Sequence, residues 1–246
     1  MPSPKPASTS SSPGRGARAR RALLLGGGLV LLLYVLPFGR VLLWPLVLLS
    51  TLAHEAGHGI AAVLVGGTFV DLSVFIDGSG IAHKKGVSSP LGLAIVSAGG
   101  LVGPSFVAAF LFVTARSARL ARITLVVGAL ILFALLALVV RNAFGIAFTG
   151  LFAVGLLAVA WRVTSETAQG VVVFLALVLS ISVFSRSDYL FAREAVTGAG
   201  TLPSDTMHIA LALGGPHLMW GVLVGAFSIA VLIVGALIFA WRLDDA

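Results

Sequence analysis

From residue 22 to residue 241 the chain is a succession of apolar runs broken by short polar or glycine-containing joints. Runs over 22–38, 41–66, 90–114, 122–140, 143–161, 170–185 and 206–241 carry few charges, and most approach or exceed the roughly 20 residues a helix needs to cross a hydrocarbon core. None alternates with the period of two of a membrane barrel strand, so the pattern predicts an all-α polytopic membrane protein with about six to seven transmembrane helices. Only Gly39 and Arg40 part the first two runs. The last is longer than a bilayer requires, and Gly214, Gly215 and Pro216 mark a partly embedded turn within it. One segment follows another rhythm. In GGTFVDLSVFIDGSGIAHKK (66–85), Val70, Leu72, Val74 and Ile76 alternate ahead of Asp77-Gly78-Ser79-Gly80, which predicts a short β-hairpin. Open strand edges are excluded from lipid, so the hairpin is expected at the membrane interface or under a protein cover.

Composition agrees with this picture. Hydrophobic residues make up 59% of the chain and charged residues 10%, with a mean hydropathy of +1.10, outside the range of soluble domains. There is no cysteine, which excludes disulfides and thiolate metal sites and leaves His, Asp and Glu as possible ligands. The net charge of +7 suggests a nucleic-acid surface at first sight. However, Lys5, Arg15, Arg18, Arg20 and Arg21 all fall in the first 21 residues, where they act as an orienting signal, and no nucleic-acid partner is expected. Residues 1–21, rich in Pro, Ser, Gly and Arg, are expected to be a disordered basic tail ahead of a membrane-embedded domain over 22–246. No small-residue cleavage site follows the first apolar run, which therefore reads as an uncleaved span. With the tail in the cytoplasm, inside segments hold ten of the sixteen basic residues and outside segments six; the bias rests on the tail, because without its five the count is five against six.

Candidate chemistry lies inside the second run, LLSTLAHEAGHGIAAVLVGG. His54 and His58 are four residues apart and project from one helical face, so one zinc ion can take both. Glu55 follows the first of them directly, where its carboxylate can reach the metal's water as general base. Gly57 and Gly59 keep the helix slim around the second ligand. Three ionisable residues within five positions of an apolar span are costly, about 2.5–3.5 kcal/mol for a charge at mid-membrane even on a lenient scale, and a structural role would not need all three. A peptidase zinc needs a third protein ligand and keeps a fourth position for water. A carboxylate is preferred to a third His, because with ionised Glu55 it brings the site near neutrality in a low-dielectric interior. Asp188 and Asp205 both remain on the required side. Asp205, in LPSDTMHIALALGGP, follows a Pro-Ser helix start and can enter the membrane with its helix; Asp188, in SRSDYLFARE, has the surroundings of a solvated loop. His208, three residues after Asp205 on the same face, is a further candidate as ligand or as supporting partner. His217 near Trp220 reads as interfacial and His83 as a solvated loop residue.

These residues together resemble the site-2 protease family of intramembrane zinc metallopeptidases, in its small bacterial branch without a PDZ domain, over roughly residues 41–225. HEAGH followed by small residues and Gly-Gly is similar to that branch's HExGH helix. SAGGLVGPSF (97–106) is similar to its glycine-rich following span, and SDTMHIALALGGPHLMW (204–220) to its late motif, although the Asp-Gly dipeptide of better-known branches is missing and Ile209 stands where Leu is usual. The resemblance implies His54, His58 and Asp205 as zinc ligands and Glu55 as catalytic base. It further implies Zn²⁺ as cofactor, a membrane protein as substrate, and a multi-pass place in the lipid bilayer of a bacterial inner membrane with a cytoplasmic N-terminus. The expected reaction is hydrolysis of a peptide bond in a locally unwound segment, for which the hairpin at 66–85 offers a strand edge. The alternatives are a protease acting on chains beyond the bilayer and a metal-binding transporter or inactive scaffold. Leu46–Leu52 and Ile60–Val65 flank the motif with apolar sequence, against the first; metal binding alone does not need Glu55, against the second.

Overall fold

A computed structural model describes residues 15–185, 188–198 and 200–241; residues 1–14 of the expected tail lie outside them. In chain order the elements are α1 (Arg15–Val35), α2 (Gly39–Leu64), β1 (Thr68–Val74), β2 (Gly80–Lys85), α3 (Pro90–Ala115), α4 (Ala118–Leu138), α5 (Ala143–Arg162), α6 (Ser165–Ser185), the single turn α7 (Asp188–Phe191), β3 (Glu194–Thr197), β4 (Gly200–Pro203), α8 (Asp205–Leu213) and α9 (His217–Trp241). Among the described residues six helices, α2 to α6 and α9, are long and apolar enough to cross a membrane. The chain is a multi-pass membrane protein, as its hydropathy predicts. The first run differs in part. Its helix begins at Arg15, and its apolar portion, 22–35, is only about 21 Å long at 1.5 Å per residue, short of a hydrocarbon core of about 30 Å.

The last run divides where its glycines and proline foretell. α8 ends at Gly214, whose φ is +82°, and Gly215 follows at +81°, a left-handed pair that turns the chain before α9. The start of α8 is also legible: Ser204 caps it, accepting from the Met207 N–H at 3.2 Å. Glu166 lies in the first turn of α6, where a carboxylate favours a helix N-terminus.

Small residues set the packing. A Cβ on Gly57 would lie 2.3 Å from the Gly99 carbonyl oxygen, and one on Gly103 would lie 2.6 Å from that of Ala53, so α2 and α3 meet backbone to backbone. The main core is rich in alanine and valine, with Ala108, Ala115, Ala168, Val172 and Ala176 buried. Large side chains such as Leu151 and Trp161 face outward, as they do where lipid replaces water.

The predicted hairpin forms from β1 and β2, antiparallel, with Leu72 opposite Ala82 and Val74 opposite Gly80. The outer edge of β1 is covered: the Leu72 N–H donates to Val139 O at 2.9 Å and the Arg141 N–H to Leu72 O at 3.1 Å. The hairpin does not lie flat at the end of α2. Thr51, thirteen residues before Leu64 and thus about 20 Å inward along the helix, donates its hydroxyl to Gly78 O in the turn at 2.5 Å. A second hairpin, β3 with β4, touches the first: the Gly198 N–H donates to Ser79 Oγ at 2.9 Å. These bonds tie the first hairpin to the end of α4, to the middle of α2 and to the second hairpin.

Candidate metal centre

The helix of the second run brings His54 and His58 to one face, and the start of α8 brings Asp205 against them. His54 Nε2 is 3.0 Å from one Asp205 oxygen, His58 Nε2 is 3.3 Å from the other, and the two Nε2 atoms are 3.2 Å apart. The rings stand at 90° to each other with centroids 4.7 Å apart. These residues form a group that can hold a metal ion.

The tautomer of His58 sharpens this. Its Nδ1 lies 2.8 Å from Val96 O, a carbonyl that can only accept, so Nδ1 carries the proton and Nε2 presents its lone pair to His54 and Asp205. A nitrogen lone pair facing a carboxylate oxygen and a second ring nitrogen is unfavourable until a cation, proton or metal, sits between them. The spacing suits zinc, since the edges of a tetrahedron with bonds of 2.0–2.1 Å are about 3.3 Å. A backbone carbonyl holding the far nitrogen of a ligating imidazole is also the usual support of such a site.

Two glycines make room for the imidazole and its neighbours. A Cβ on Gly100 would lie 2.3 Å from both Cε1 and Nε2 of His58, and one on Gly59 would lie 2.2 Å from the Phe69 ring of β1. The glycine-rich stretch of α3 thus leaves the space that the His58 ring fills.

Glu55 is buried, at 6% exposure, and makes no hydrogen bond among the described residues. Its oxygens are nevertheless not sealed off, for the buried side-chain atoms left without a partner among the described residues are those of Ser105, Arg122 and Thr149. Glu55 borders a cavity of about 40 Å³ lined by Ser50, Thr51, His54, Gly80, Ser182 and Leu190, among others. That is room for about three or four waters, each needing about 10–15 Å³ on this measure. Gly80 of β2 closes on the carboxylate, for a Cβ there would lie 2.7 Å from Glu55 Cγ and 2.9 Å from Oε1.

Of the four residues singled out in the sequence, His54, His58 and Asp205 come together, and Glu55 borders the cavity that His54 also lines. The side chain of Asp188, the alternative ligand, lies outside the described residues. His208 is exposed on α8, His217 Nε2 lies 3.3 Å from Phe191 O, and His83 is a strand residue, 2.6 Å from Asp71 Oδ1, instead of a loop residue. Sequence reasoning missed Thr51, Gly80 and the Val96 carbonyl. Thr51 had a signal, being one turn before Glu55 on the same helix, whereas Gly80 and Val96 depend on contacts distant along the chain. No curated protein and no solved structure matches the chain. A family model does: that of the peptidase M50B-like proteins, within the site-2 protease family, matches residues 24–235, from the first apolar run into the last helix, and the chain belongs to that family.

Proposed function

We propose that the protein is an intramembrane zinc metallopeptidase that hydrolyses peptide bonds of membrane proteins within or beside the bilayer, seated in the cell membrane with its N-terminus in the cytoplasm. The observation that carries the reading is Glu55, a largely buried residue that accepts no hydrogen bond among the described residues, borders a small cavity and is next in sequence to one of three converging side chains that can hold a metal. Zinc, when bound, would lower the pKa of a water and polarise the scissile carbonyl. His54, His58 and Asp205 are the proposed ligands. Glu55 takes the water's proton and passes it to the leaving amine, work that calls for a carboxylate with free lone pairs and not one spent on protein donors.

The chain also supplies a way to present a peptide bond. β1 has both edges engaged, by β2 and by residues 139–141, whereas β2 has only β1 beside it among the described residues. An extended substrate segment can pair with the free edge of β2. Gly80, at the inner end of that strand, lies against Glu55, so pairing delivers the segment to the base.

Glu55→Gln tests the assignment. Purified in detergent, this variant should keep wild-type zinc while cleavage falls by about 10²–10⁴-fold, the usual worth of a general base. In cells, the truncated form of at least one membrane protein should disappear. Retained cleavage, or loss of zinc together with activity, would remove Glu55 from the role proposed for it, and a metal-binding transporter or scaffold would show no truncated form with either protein.

A further inference from the structure

Resting on the protease reading above, we infer that Lys84 makes the site selective for substrates with an acidic side chain about four residues from the scissile bond. β2 begins at Gly80 against Glu55 and ends at Lys84 and Lys85, about 13 Å further out at 3.4 Å per residue. Side chains alternate along a strand, so Lys84 shares a face with Ala82, which is buried in the core, and with Gly80, where a Cβ would meet Thr51 and Glu55 of α2. Lys84 is therefore on the site side of the strand. Its cross-strand partner on β1, Phe69, lies against Gly59 of α2, the residue after His58.

The charge is not already spent. Asp71 is paired with His83 at 2.6 Å, and Asp77 accepts from the Ser79 N–H and hydroxyl at 2.9 and 2.6 Å. Among the described residues neither Lys84 nor Lys85 has an ion-pair partner, and both are exposed. A substrate paired along β2 with its reacting bond at Gly80 places its fourth residue outward opposite Lys84, in cross-strand contact, where opposite charges attract and like charges repel. With a cytoplasmic N-terminus and both α1 and α2 crossing the membrane, that residue flanks the substrate's cytoplasmic membrane boundary. Such flanks ordinarily carry an excess of Lys and Arg, so Lys84 turns away the common substrate flank and admits the acidic minority.

The test uses the full-length zinc-loaded protein in phosphatidylcholine vesicles with a set of single-span reporter proteins. The bond cut in an uncharged reporter is located by mass spectrometry, and a single Asp or Lys is then moved from the second to the eighth residue on either side of it. Wild type should cut the reporter with Asp at the fourth residue about five- to tenfold faster in kcat/KM than the one with Lys there, roughly two exposed ion-pair increments, with little effect beyond the sixth. Lys84→Glu should reverse that order at unchanged zinc content, and Lys84→Arg should keep it. Flat dependence on reporter charge, or an equal fall for every reporter with Lys84→Glu, would overturn the inference and assign the lysine to the membrane surface, while the protease reading stands. Zinc-loaded wild type that cuts no reporter, charged or uncharged, would overturn both.

Discussion

Gly100→Ala places one methyl group where the structure has no room for it. The new carbon would lie 2.3 Å from Cε1 and Nε2 of His58, against about 3.5 Å for ordinary contact. The ring must therefore retreat by about 1.2 Å, or α3 must move away from α2 by a similar amount. The second route is resisted by the neighbouring Gly57–Gly99 and Gly103–Ala53 approaches, so the ring is the part that gives. Metal–ligand bonds tolerate about 0.2 Å, and a displacement six times larger removes His58 as an effective ligand. Losing a supporting contact costs about 10–100-fold in metal affinity, and displacing the ligand itself should cost at least the upper figure, or about 2.7 kcal/mol from RT ln 100. The assay is zinc affinity of the purified protein by competition with a chelator, alongside its thermal midpoint. Gly155→Ala is the control: it is a helical glycine with nothing within 4 Å of the added carbon, so zinc should be unchanged and stability equal or slightly higher. Wild-type zinc affinity in Gly100→Ala would refute the reasoning, as would an equal loss in Gly155→Ala.

Two further outcomes are expected. Asp205→Ala should lower both zinc occupancy and cleavage at least tenfold, while Asp188→Ala should leave both nearly intact; metal analysis of the two variants decides, and the opposite result would hand the third ligand to Asp188. If the basic tail is cytoplasmic and α1 crosses the membrane as well as α2, cysteine at Ser88, exposed beside the first hairpin, should be shielded from a membrane-impermeant reagent in intact cells, and cysteine at Arg116, exposed across the bundle, should be labelled; the reverse would mean that α1 does not cross or that the tail lies outside.

The parts of the molecule that were legible in the sequence are those encoded by local spacing. His54, Glu55 and His58 need only the helical period, Ser204 and Asp205 announce a helix start, and Gly214 and Gly215 break the last run where the backbone takes positive φ. The first hairpin showed itself through alternation and a four-residue turn. The second, Glu194–Thr197 with Gly200–Pro203, has strands of four residues without an apolar alternation, so nothing local separated it from a loop. The cover on β1 comes from residues 139–141, some seventy positions away, and no pattern within either segment points to the other. Glycines in α3 likewise announce close packing but not the neighbour: that Gly100 faces an imidazole follows only from how α2 and α3 are set against each other.

The proton on His58 Nδ1 is held by the carbonyl of Val96, a main-chain group that every residue at position 96 would supply. No point substitution there deletes the acceptor. The orientation of this imidazole is therefore insensitive to side-chain chemistry at its anchor and sensitive to the position of α3 as a body. Variation that changes the centre through this contact must arise along the seam where α3 meets α2, at residues that touch neither the imidazole nor its anchor, and a screen for lost metal binding should return such sites while passing over position 96 itself.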